Sequence, residues 1–303
     1  MHHTAVPAES TFSRLSRLAG LFVIAPLLLV LALPVAVNIA RTPDAGFQVL
    51  NLRVVGVRQG GPADRAGLRT GDIVMGVDDR IIDRMHDFHA ARAGMTQHRT
   101  SSVLIMRAGI TIKLNVTPGG PRQSQLIRGY STWVAGLSFL LIGWWVLWRR
   151  TDQVARNFFG LCFIFGFFLM DIPNLPDSGY MLGKEILRTL LQYLLPAYFL
   201  RFFLQFPRPT QGRTPGPRLL LIPGWVLFAS ALVVEYSPGL QRGPAENVLQ
   251  ALSAAYMAGY FLTGLLIFAR RALRRDRPIQ RTKMMVILSG LAAGLVPFLS
   301  LIH

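Results

Sequence analysis

Gly60-Gly61-Pro62-Ala63-Asp64-Arg65-Ala66-Gly67-Leu68-Arg69-Thr70-Gly71-Asp72-Ile73-Val74-Met75-Gly76-Val77-Asp78-Asp79-Arg80 is the stretch whose reading decides the fold. Pro62 pre-sets φ for the start of a short helical turn. Ala63 and Ala66 are small enough for that turn to lie close on a sheet. Gly67 supplies a left-handed stop, after which Leu68 drops into a core. Gly71-Asp72 then turns the chain into a strand, with Ile73, Met75 and Val77 expected on one face. A second turn ends that strand at Asp78-Asp79.

Outward from this stretch the periodicity stays short. Phe47-Gln48-Val49 and Val54-Val55-Gly56-Val57 read as strands ahead of it. Asp87 to Met95 reads as a helix with Asp87 as its N-cap and Gly94 near its end. Ser102–Met106 and Ile110–Val116 alternate as a hairpin around Ala108-Gly109. The soluble segment is therefore 42–118, an α+β unit of about a quarter of the chain.

Long apolar runs flank it. The chain has 303 residues, of which 51% are hydrophobic, and this content is concentrated in runs rather than spread through a soluble core. Gly20–Val37 is long enough to cross a bilayer, and residues 20–40 read as an uncleaved anchor behind a polar tail, 1–19. A signal peptide is the competing reading, but Ala36-Val37-Asn38-Ile39-Ala40 is a poor cleavage site. Residues 129–303 read as a bundle of about six helices. Its spans are Tyr130–Trp148, Phe158–Met170, Ile186–Phe206, Leu219–Tyr236, Val248–Ala269 and Met284–Ile302. The expected architecture is an α-helical polytopic membrane protein of about seven spans, with one α+β domain between spans one and two.

The formal charge of +17 would suggest nucleic acid in a soluble chain. Here topology accounts for it, and no nucleic-acid partner is expected. With the N-terminus inside, sixteen Arg and Lys residues fall in inside segments, against Lys184 and Arg242 in two short outside loops. The positive-inside rule then puts the N-terminus in the cytoplasm and residues 42–118 on the far side. The membrane lipids themselves are partners, and Arg270–Lys283 carries charge suited to anionic headgroups.

The pattern G-x-P-A-x-x-A-G-L-x-x-G-D-x-I resembles the bacterial PDZ domain of periplasmic quality-control proteases. That resemblance implies capture of a peptide or protein C-terminus by strand addition, with the terminal carboxylate held by backbone N–H groups of a glycine loop. The matching positions are Gly46, Phe47 and Gln48 for loop and strand. Phe47, Val49, Phe88, Ala91 and Met95 would line the pocket. A bacterial inner-membrane protein with a periplasmic PDZ domain is thus expected.

Catalytic constellations are missing from the sequence. An intramembrane metalloprotease needs H-E-x-x-H, which does not occur. His86 and His89 are one turn apart, but without a third ligand they read as solvated helix residues, and no metal or cofactor is expected. The lone Cys162 lies in an apolar run. Ser289 has no histidine base within reach except the terminal His303. Phe202-Phe203-Leu204-Gln205-Phe206-Pro207-Arg208-Pro209 and Arg281-Thr282-Lys283, leading into Gly290 and Pro297-Phe298, resemble the input half of PDZ-bearing sensor histidine kinases of the competence type. Related input halves precede PP2C-type phosphatases. The resemblance implies a non-catalytic sensor that signals through its helices to a cytoplasmic partner. The chain stops at His303 without an H-box histidine or ATP-binding motif, so the expectation is the N-terminal half of a sensor kinase or, failing that, a stand-alone receptor that acts on a partner. A protease relative or protease adaptor without the usual motif is the alternative.

Overall fold

The computed structural model describes residues 23, 25–150, 152–206, 219–237 and 243–273. They fall into two compact units, the first drawn from Met1–Thr151 and Cys162–Arg188, the second from Asp152–Leu161 and Thr189–His303.

The first unit contains the sheet domain. Its strands are β1 (Phe47–Leu50), β2 (Arg53–Val57), β3 (Ile73–Val77), β4 (Arg80–Ile81), β5 (Ser101–Arg107) and β6 (Ile110–Val116). They run in the order β1-β2-β3-β5-β6, all antiparallel, with β4 pairing β3 off this path. Helix α1 (Ala25–Arg41) precedes the sheet, α2 (Pro62–Arg65) follows β2, and α3 (Met85–Gly94) precedes β5.

The decisive stretch folds as its chemistry dictates. Pro62 opens α2, Gly67 sits at φ +84°, and Leu68 is buried behind it. Strand β3 departs from simple alternation. Val74 pairs Ile105 and Gly76 pairs Leu104, so Met75 is an extra residue in the ladder. This bulge turns Val74 and Val77 both into the core, while Met75 is 38% exposed. The expected face of Ile73, Met75 and Val77 is therefore broken by a one-residue insertion. The α3 start also differs. Arg84 is the N-cap, and Asp87 lies three residues on, accepting the Arg84 N–H at 3.3 Å.

Asp72 is the domain's main buried charge, 2% exposed. It accepts two bonds of 2.7 Å from the Arg107 guanidinium and one of 2.8 Å from the Arg69 N–H. The Arg107 bonds, aided by the Arg69 N–H and opposed by burial, hold its carboxyl below the usual aspartate range. Folded pKa below unfolded means that this stability is present above the ordinary carboxylate pKa of about 4 and is lost as pH falls through the depressed value. Asp72→Asn is expected to flatten the acid limb of the domain's stability profile and lower the neutral plateau. An unchanged acid limb would show that the pair contributes nothing.

Also in the first unit, α4 (Gln123–Arg149) packs on α1, and Trp133 Nε1 donates to the Ala32 carbonyl at 2.9 Å. Ala32, Leu140 and Met170 form a buried cluster there. Gly136 and Gly166 let two helices approach closely, because a Cβ on Gly136 would lie 3.0 Å from the Gly166 carbonyl oxygen.

Helices α5 (Gln153–Met170) and α6 (Ser178–Gln205) each contribute to both units, and α7 (Ile222–Tyr236) and α8 (Pro244–Leu273) belong to the second. In that unit Tyr256 Oη donates to the Tyr193 carbonyl at 2.9 Å. The Arg271 guanidinium caps the end of α6, at 2.8 Å from the carbonyl of Phe203 and from that of Phe206, the residue after the helix.

Among the described residues four segments are long and apolar enough to cross a membrane: Gln123–Arg149, Gln153–Met170, Leu219–Tyr236 and Pro244–Arg271. These contain the expected spans Tyr130–Trp148, Phe158–Met170 and Leu219–Tyr236, and all of Val248–Ala269. The Ile186–Phe206 span lies within α6 apart from its last residue, and α6 is not one of the four because Arg188, Gln192 and Arg201 dilute its apolar run. The Met284–Ile302 span, the 1–19 tail and the first residues of the 20–40 anchor lie outside the described residues.

Candidate peptide-binding groove

A sheet edge becomes a binding site when its free backbone runs beside a wall. Strand β1 is such an edge, bonded to β2 on one side only. Its wall is α3. The Phe47 and Phe88 rings lie 6.2 Å apart, and the Arg92 guanidinium sits 5.9 Å from the centre of the Phe47 ring.

Local sequence sets this geometry. Asn51 and Leu52, both at positive φ, turn β1 tightly into β2, and the Leu52 N–H points at Met85 Sδ, 3.4 Å away, at the start of α3. Gly46, at φ +81°, bends the chain into β1 and lies against Pro62 of α2. The Gly46 carbonyl accepts the Arg58 N–H at 2.9 Å, and the Ala45 carbonyl accepts that of Ala63 at 3.1 Å.

The residues singled out from sequence do not share one environment. Phe47, Phe88, Ala91 and Met95 are buried in the domain core at 4%, 1%, 5% and 3% exposure. Val49 packs half-buried on that core, and Gln48 is exposed on β1. The strand and helix are thus adjacent, with the space between their inner faces filled by their own side chains.

The loop ahead of β1 holds charges that motif reading passed over. Asp44 is 6% exposed and is joined to Arg58 and, at 3.2 Å, to Arg122 Nε. Its Oδ1 accepts the Gly46 N–H at 3.0 Å. Burial raises the Asp44 pKa, but the Arg58 bond and charge, the Gly46 N–H and Arg122 outweigh it and hold the carboxyl below its ordinary range. Arg92 has its own pKa pushed down by burial and drawn back up by Asp44. Isolated charges with no motif spacing gave sequence reasoning nothing to recognise here.

His86 stands 3.6 Å from Asp87 and 3.7 Å from Glu185, and His89 is packed against Phe88. Burial, with Arg92 next, pushes the His89 pKa down. Among the described residues no group of three or more His, Cys, Asp or Glu side chains is placed to hold a metal ion.

Comparison with known proteins bears on the sheet domain. Residues 37–117 match the family model described as PDZ domain, so the chain carries a PDZ domain. No curated protein matches. Among solved structures, a serine endoprotease from Yersinia pestis is 24% identical over 27% of this chain and 30% of its own, with a TM-score of 0.25. An HtrA-type protease, AlgW with a decapeptide, is 19% identical over 32% of this chain and 35% of its own, with a TM-score of 0.28. The chain thus spans about a third of the length of these two structures.

Proposed function

We propose that this chain is a non-catalytic membrane receptor whose PDZ domain captures an extended peptide, an exposed protein C-terminus included, by strand addition at β1. The observation that carries this reading is the free edge of β1 lying beside α3. Backbone bonds of an added strand supply affinity, and side chains facing α3 supply selectivity. In this reading the domain stands outside the cytoplasm in a bacterial inner membrane, and the Arg and Lys distribution of the flanking segments supports that side. Occupancy shifts helix packing by the ligand's differential affinity for two arrangements, and a cytoplasmic partner such as a histidine kinase domain reads the shift.

The test is hydrogen exchange on the full chain in lipid nanodiscs, with and without a pool of random decapeptides. Protection confined to Phe47–Leu50 and α3 is expected. No protection there removes the capture reading. Cleavage of the pool without any such protection replaces it with a protease.

A further inference from the structure

The loop that opens the groove already holds a carboxylate. The PDZ resemblance implies that Gly46 is the loop glycine whose N–H a peptide's terminal carboxylate would use, and in this chain that N–H is bound to Asp44 Oδ1 at 3.0 Å. The other oxygen, Oδ2, is bound by the Arg58 guanidinium and by Arg122 Nε at 3.2 Å. Both oxygens are therefore engaged, one by a backbone amide and the other by two cations. Asp44 is also held by its backbone, which exchanges two hydrogen bonds with Gly119, at 2.9 and 3.1 Å. Arg92, on the opposite wall, is close enough for Asp44 to shift its titration.

A second carboxylate brought to the Gly46 amide must compete with Asp44 for that N–H and for the same two guanidinium groups. Displacing Asp44 strips a residue that is 6% exposed of two guanidinium partners and an amide. Displacement would leave the buried Asp44 carboxylate without partners, which is costly even though Arg58 and Arg122 are partly exposed.

We propose that Asp44 is a specificity-determining residue that fills the terminal-carboxylate seat, so that the groove takes an extended segment from within a chain in preference to a free C-terminus. This rests on the reading that β1 captures a peptide, and it narrows the class of peptide captured.

Two pools of random decapeptides, identical except that one ends in a free acid and the other in an amide, separate the alternatives. The full chain in nanodiscs retains peptides from each pool, and mass spectrometry gives the acid-to-amide ratio. The wild type is expected to retain more of the amide pool than of the acid pool, and equal retention counts against the proposal. Asp44→Ala frees Gly46, Arg58 and Arg122 and is expected to move the ratio toward acid by about tenfold or more. Asp44→Asn keeps the shape and removes the charge, and it is expected to move the ratio in the same direction should the alanine variant fail to fold. A wild-type preference for acid overturns the proposal, and so does a ratio that neither variant changes. Retention of neither pool by any of the three proteins removes strand capture itself, a result distinct from a wrong end-group preference.

Discussion

Phe88→Ala is expected to destabilise the PDZ domain by about 3–5 kcal/mol, the range for emptying a fully buried aromatic site. Phe88 is 1% exposed, packs with Phe47 and belongs to a core that includes Val54, Val74, Val103 and Ile105. A small domain holds about 5–15 kcal/mol in all, so the variant would be near unfolding. All five tryptophans lie beyond residue 118, at Trp133, Trp144, Trp145, Trp148 and Trp225, so their fluorescence does not report on this domain. Exchange of β3 and β5 amides in the intact chain is the suitable readout. A loss below about 1 kcal/mol would mean that Phe88 faces an open slot, since filling a void is what makes such truncations costly. For the same reason a charge at Phe47 would test the core as much as the groove.

Gly46→Ala is expected to cost about 2–3 kcal/mol, from two sources that add. At φ +81° an L side chain is strained by about 1–2 kcal/mol. The new Cβ would also lie 2.9 Å from Pro62 Cδ and 3.3 Å from its nitrogen, and the proline ring, buried in α2, has little room to yield. The same exchange measurement reads this loss, followed at the amides of β1 and β2. A neutral substitution would show that the loop relaxes freely. In that case the tight seat for Asp44 is not a fixed feature.

The turn residues carried the fold in the sequence. Pro62, Gly67 and the Ala108-Gly109 pair have backbone requirements that leave little choice, and each sits where its chemistry placed it. The β3 face was not readable, because a bulge is a property of pairing with β5 and leaves no mark in the alternation of one strand. The start of α3 was misplaced for a related reason. Asp87 satisfies helix-opening amides equally well at the cap or three residues in, and only the backbone decides. Phe47, Phe88, Ala91 and Met95 were legible as apolar neighbours, yet the sequence could not divide groove lining from core filling. The Asp44 cluster was invisible because Arg58 and Arg122 come from 14 and 78 residues away. Such a pairing exists only once the sheet has brought them together.

Asp44 and Gly119, the residues through which the chain joins and leaves the sheet domain, are bonded to each other across 75 positions of sequence. A module whose two ends meet can be spliced into a helical pair without stretching it, much as a bead is threaded onto a closed clasp. The contact between α1 and α4 therefore places no demand on the length of what lies between them.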